Sequence, residues 1–206
     1  MQQTAPSRRH ALSRLVLDAS GVVLQAERLL ILALMALLML LILVNVATRY
    51  TGMPIYWIDE AAVYSVVWLT FVGGSAMTRL RMDFAVTLLT DKLGVRAARL
   101  FRLAAGGGVL LFGLAMLAMC WIWMDPLGIA RAGFDAREYA AQSFNFLYTE
   151  RTQTLNWPTW LLQTVLPLFA LTLSLHAAAN LVEDLGWHPR RPHAGFPKAD
   201  AEAVVN

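Results

Sequence analysis

The sequence predicts an all-α integral membrane protein of four transmembrane helices, and three observations carry that prediction. Four long runs, 29–46, 61–78, 103–124 and 158–180, contain no acidic or basic side chain apart from His176. The chain is 58% hydrophobic and only 15% charged, with mean hydropathy +0.53, whereas soluble domains carry about 25% charged residues. Finally, the connecting segments alternate between rich and poor in Arg and Lys, the pattern that orients membrane helices.

The first run is the clearest. It reads LLILALMALLMLLILVNV, with Asn45 its only polar side chain. At ~1.5 Å per residue it spans roughly the ~30 Å hydrocarbon core of a bilayer. Residues 1–28 read as a cytoplasmic extension. Arg8-Arg9 ahead of an apolar run has the look of a twin-arginine signal, but the run starts about twenty residues later. No small-x-small cleavage site follows it, so the extension is expected to be retained. Residues 29–182 form the four-helix transmembrane domain, and 183–206, rich in Pro and His, is expected to be a disordered cytoplasmic tail.

Seventeen basic residues set the orientation. With four spans both termini share a side. That side collects thirteen of them and the other only four, so both termini are expected in the cytoplasm. Tyr50, Tyr56, Trp57, Trp121, Trp123, Trp157 and Trp160 then fall at the outer ends as an interfacial belt. Trp68 sits mid-membrane, where it either faces lipid or packs on a neighbouring helix. The inner connection 79–102 carries Phe84, Leu88 and Leu89 at helical spacing, with Asp83, Asp91 and Lys92 off that face. That pattern predicts a short amphipathic helix in the cytoplasmic interface. The outer segment 125–157 is the largest, and Asp135–Tyr148 is expected to hold a short helix carrying Phe144, Phe146 and Leu147.

The basic pI of 9.4 does not point to nucleic acid, because the basic residues flank apolar runs. The lone Cys120 forms neither an internal disulfide nor a cysteine metal site. No metal, cofactor-binding or catalytic residues are assigned. A Ser75–His176 pair would make an intramembrane protease, yet small residues such as Gly73-Gly74-Ser75-Ala76 more often permit close helix packing. Asp59 and Glu60 open the second span, where acidic residues complement a helix N-terminus. Alternatively they contact a partner at the outer surface, with Arg49 as counter-charge. Arg79 lies ~28 Å away, at the other end of the span. Ala170, Ser174 and Ala178, each four apart, and Ala104 with Gly108 form small-residue stripes for helix contact, within the bundle or with another subunit.

From Asn45 to Val86 the sequence resembles the small membrane subunit, DctQ-like, of tripartite ATP-independent periplasmic (TRAP) transporters. The resemblance rests on Arg49-Tyr50, Pro54-Ile55-Tyr56-Trp57, Asp59-Glu60, Trp68-Leu69-Thr70-Phe71-Val72-Gly73 and the stretch from Arg79 to Asp83, in that order. Val63 stands where members often carry Arg, and Met82 where they carry His or Gly. The resemblance implies a non-enzymatic scaffold in the bacterial inner membrane. Its implied partners are a large membrane permease subunit, which holds the sodium and substrate sites, and a periplasmic binding protein that captures an organic acid. An assembly factor for another membrane complex is the remaining alternative.

Overall fold

The computed structural model describes residues 8–82 and 93–191, with side chains described from residue 11 onward. The interfacial helix expected around Phe84, Leu88 and Leu89 and the tail beyond residue 191 lie outside the described residues. The described chain is helical: α1 (Arg8–Tyr50), α2 (Trp57–Leu80), α3 (Val95–Met124), α4 (Pro126–Arg131), α5 (Ala136–Ser143), α6 (Thr159–Gln163) and α7 (Val165–Asp184). Among the described residues there is no strand, only an isolated bridge between Arg151 and Pro158. Four helical stretches are long and apolar enough to cross a membrane: α1, α2, α3 continued through α4, and α6 continued through α7.

α1 runs unbroken for 43 residues, ~64 Å at the usual rise. Nothing in it stops a helix: there is no proline, and Gly21 is its only glycine. The helix therefore continues through Arg28, where the apolar run begins, and twenty residues beyond. Ser13, Leu17, Ser20, Leu24 and Glu27 are buried. Their three-and-four spacing is one helical face, and that face turns towards α7.

The other helix ends have local causes. α2 starts with Asp59 and Glu60 in its first turn and stops at Arg81, whose φ of 56° is left-handed. α3 stops at Asp125, also left-handed, and the same residue caps α4 by accepting from the Gly128 N–H at 2.9 Å. The fourth span is divided at Thr164. Pro167 lacks the N–H that would bond the carbonyl four residues back, so the helix loosens there.

α7 is the central helix and contacts α1, α2 and α3. Its apolar stretch is 44% buried, against 6% for that of α1, so most of the α1 surface faces outward. The stripe read from the sequence supplies the closest contact. Ala170 and Ser174 are buried and Ala178 half-buried, and α3 approaches them at Gly113. A methyl placed on Gly113 would stand 2.5 Å from Ser174 Oγ and 3.3 Å from its backbone nitrogen. Gly108, which the sequence singled out, has nothing within 4 Å of such a methyl.

Overpacking a close contact costs typically 1–3 kcal/mol. Gly113→Ala is expected to lower the thermal midpoint of the detergent-purified chain. Gly107→Ala, where the added methyl meets open space, should leave it unchanged or raise it. Equal midpoints for the two variants would show that the α3–α7 approach is not tight.

Candidate functional site: polar clamps at the two ends of the bundle

Polar side chains concentrate at the two ends of α2. At its start, Arg49 donates to Asp59 Oδ2 at 2.7 Å and to Asn45 Oδ1 at 3.1 Å, while Asn45 Nδ2 donates to Asp59 Oδ1 at 2.6 Å. The three join the end of α1 to the start of α2. Arg49 and Asp59 remain at least half exposed, so the pair contributes only ~0–1 kcal/mol.

Glu60 is not the partner of Arg49. One residue further on, it points about 100° further round the helix, towards the segment before α6. There it accepts from the backbone N–H groups of Gln153 (2.9 Å), Thr154 (2.8 Å) and Leu155 (2.8 Å), and from the Thr154 hydroxyl. Successive N–H groups converging on one carboxylate pin the outer loop onto α2. The rest of that segment is stacked on α3 and α6. The Tyr148 hydroxyl donates to Met124 O at 2.6 Å, and its ring lies against Tyr139 and Trp160. Burial, with Tyr139 and Asp125 nearby, pushes the Tyr148 phenol up, so it stays protonated as a donor.

Trp68 packs on a neighbouring helix: its indole N–H donates to Leu162 O at 3.0 Å, beside the turn that Pro167 loosens. Trp57 is exposed at the start of α2.

The other end of α2 is dominated by Arg79. Its side chain is 1% exposed and that of Glu183 is 2% exposed. Arg79 Nη1 donates to Asn180 Oδ1 (2.6 Å) and Glu183 Oε2 (3.0 Å), and Nη2 to Glu183 Oε1 (2.8 Å). Asn180 donates back to the Thr78 carbonyl at 2.7 Å. Arg81 grips Asp184 through both carboxylate oxygens and donates to Asn180 O at 2.9 Å. Arg190 also reaches Asp184, and Arg191 pairs with Asp18 of α1. Within this cluster the buried Nε of Arg79 is left without a partner. Sequence reasoning singled out Arg79 but missed Glu183 and Asp184, which it treated as the edge of the tail. Their signal was available: two adjacent acids end the fourth span beside the inner basic segment.

A third cluster lies just above. His176 Nδ1 is 2.8 Å from Ser20 Oγ and Nε2 is 3.0 Å from Glu27 Oε2, and Ser20, His176 and Glu27 are all buried. Ser13 and His188 form a similar bond further along α1. These bonds tie the first half of α1 to α7. Ser75 is not brought to His176; its hydroxyl donates to Thr172 Oγ1 at 2.7 Å. An open groove of about 300 Å³ is lined by Met35, Leu38, Met39, Ile42, Leu43 and Leu69. It offers no polar group to a charged substrate.

Halving a buried ion pair leaves an uncompensated charge and costs ~3–5 kcal/mol, while replacing both partners with apolar groups is often neutral. Arg79→Gln and Glu183→Gln are each expected to destabilise the purified bundle strongly. Arg79→Met with Glu183→Leu should recover most of the loss, read as thermal midpoints. A double variant as unstable as the sum of the singles would remove the pairing from the account.

Neither a search of curated proteins nor one of solved structures found a match to the chain. Its sequence does match, over residues 38–186, the family described as Tripartite ATP-independent periplasmic transporters, DctQ component. That stretch runs from within the membrane part of α1 to just past α7, and it contains both ends of α2 and their partners. The four-helix bundle held by these clamps therefore belongs to the DctQ family, the small membrane component of TRAP transporters.

Proposed function

We propose that this chain is the non-catalytic scaffold subunit of a sodium-coupled, binding-protein-dependent secondary transporter that imports an organic acid across the bacterial inner membrane. The observation that carries the proposal is where the polar side chains go. Arg79, Glu183, Asn180, His176, Glu27, Ser20, Ser75 and Trp68 all bond to other helices of the same chain. They hold helices together and leave the outward surface apolar, which suits a chain that binds another membrane subunit. The membrane components that coordinate an ion or carry a substrate need polar or charged groups facing a pathway.

The large permease subunit is assigned the sodium and substrate sites, and a periplasmic binding protein delivers the acid. The basic asymmetry supports an arrangement in which the Arg79 end faces the cytoplasm and the Arg49 end the periplasm. The outer platform that Glu60 pins then stands on the side where the binding protein arrives. The protease reading would need Ser75 activated by His176, and both are bonded elsewhere.

Two measurements test the proposal. Proteoliposomes holding this chain alone should accumulate no organic acid. Adding the permease and binding protein should give sodium-dependent uptake that omission of this chain abolishes or strongly reduces, and Ser75→Ala should keep most of it. Robust accumulation by the chain alone would overturn the scaffold role. For topology, single cysteines at 52 and 142 should react with an impermeant maleimide on intact cells, and one at 190 should not. Labelling of 190 from outside would overturn the orientation.

A further inference from the structure

α1 carries a second apolar seam on the face away from the bundle. Positions 12, 15, 19, 22, 26 and 29, continuing in alternating steps of three and four to 47, are all Leu, Ala or Val. All are exposed except the half-buried Ala19. The buried positions 13, 17, 20, 24 and 27 face α7, and the second seam lies roughly 150° round the helix from them. Among the described residues the seam is therefore not buried against another helix, and only Leu43 borders the open groove beside Leu69.

At membrane depth lipid covers such a surface. The seam does not stop there. Arg28 is 21 residues from Arg49, ~31 Å along the helix, about the thickness of the hydrocarbon core. Leu12, Leu15 and Val22 lie beyond it and are 66%, 66% and 71% exposed. Polar groups mark this zone as aqueous: Asp18 is paired with Arg191, with side chains 65% and 42% exposed. Contiguous apolar surface in water marks an interaction site.

The course of the seam identifies the occupant. Because it crosses from lipid into water without a break, neither lipid nor a soluble protein covers it all. A membrane protein whose helices also project past the inner face does. The width of the seam says more. The positions flanking it on one side, Val16, Val23, Leu30 and Leu37, are apolar too. An apolar face three residues wide per seven suits a helix lying against several others, whereas a two-stranded pair needs a narrower seam with charged flanks. The opposite flank carries Asp18 and Gln25, but a pair of copies packed on the seam alone would leave Val16, Val23, Leu30 and Leu37 uncovered.

We infer that the outward face of α1, from Leu12 to Ala47, seats in a groove between helices of the large membrane permease subunit and extends that contact into the cytoplasm. The inference rests on the scaffold reading above and adds the surface that the scaffold uses. The alanines at 19, 26, 33 and 36 allow the partner backbone to approach closely at membrane depth and below it.

The test is co-purification of the tagged chain with the permease, co-expressed in the same membrane. Val22→Glu would place an unpaired carboxylate in the seam and should lower the recovered permease about tenfold or more, corresponding to at least ~1.4 kcal/mol. Gly21→Glu brings the same charge to the neighbouring position on another face, where an added Cβ meets open space, and should leave recovery unchanged. Val22→Cys should cross-link to the permease, which also covers the case in which Val22→Glu fails to fold. If the unmodified chain recovers no permease, the scaffold reading itself fails, and this inference with it. If it recovers permease but Val22→Glu recovers as much, or if Val22→Cys cross-links only to a second copy or to nothing, the α1 seam is overturned while the scaffold reading stands.

Discussion

Lipid tails are as apolar as leucine, so burying leucines does not hold membrane helices together. Polar bonds and close backbone contact must do so, and in this chain both converge on α7. Arg79 and Glu183 are the strongest instance: a guanidinium and a carboxylate, each almost wholly buried, joined by two short bonds with Asn180 completing the set. Removing either partner strands a charge at the edge of the hydrocarbon. Asn180 also donates to the Thr78 carbonyl in the last turn of α2, which the Arg81 N–H reaches only at 3.3 Å, so the same cluster finishes one helix and fastens it to another. The position of α2 against α7 follows from this clamp; α3 is then placed by its contacts with α7, and α1 by its contacts with both α2 and α7.

Those contacts use different chemistry because they lie at different depths. At membrane depth α3 meets α7 through shape, with Gly113 against Ala170 and Ser174. At the polar edge α1 meets α7 through Ser20, His176 and Glu27, where a buried bond between charged or dipolar groups gains most. The Arg49 end is looser. Its ion pair is exposed, and the order of that end rests on Glu60, which gathers three backbone N–H groups of the segment before α6. One end of the bundle is thus locked by side chain to side chain, the other by side chain to backbone.

Most of the architecture was legible in the sequence because it is written in composition. Four charge-free runs become four spanning helices, and the resemblance from Asn45 to Val86 falls inside the matched family region. What escaped was what needs a third dimension. Arg79 and Glu183 are 104 residues apart, and no local pattern pairs them. Arg49 was matched to the right pair of acids, but a turn of one residue round the helix decides between Asp59 and Glu60. The stripe at Ala170 and Ser174 was visible as a contact face, yet its partner is Gly113 because the relative height of α3 and α7 is fixed by packing. The length of α1 was readable in part. The apolar run ends at Arg28, but the buried face continues as Ser13, Leu17, Ser20, Leu24 and Glu27, a helical spacing hidden by its mixed polarity.

That mixed face also explains why α1 extends so far. A helix of twenty residues beyond the bilayer is marginal alone, because most helical stability in proteins comes from packing an amphipathic face. Here the face is supplied by α7 and the chain after it, through His176, His188 and Arg191. The serines, Glu27 and Asp18 give the segment polar bonds that fix its rotation about its own axis. A rotation fixed on one side presents a fixed surface on the other. The bonds that consume the polar groups of α1 thereby hold its remaining leucines, valines and alanines outward in one register. The same interactions that stabilise the bundle decide which surface it shows to the rest of the transporter.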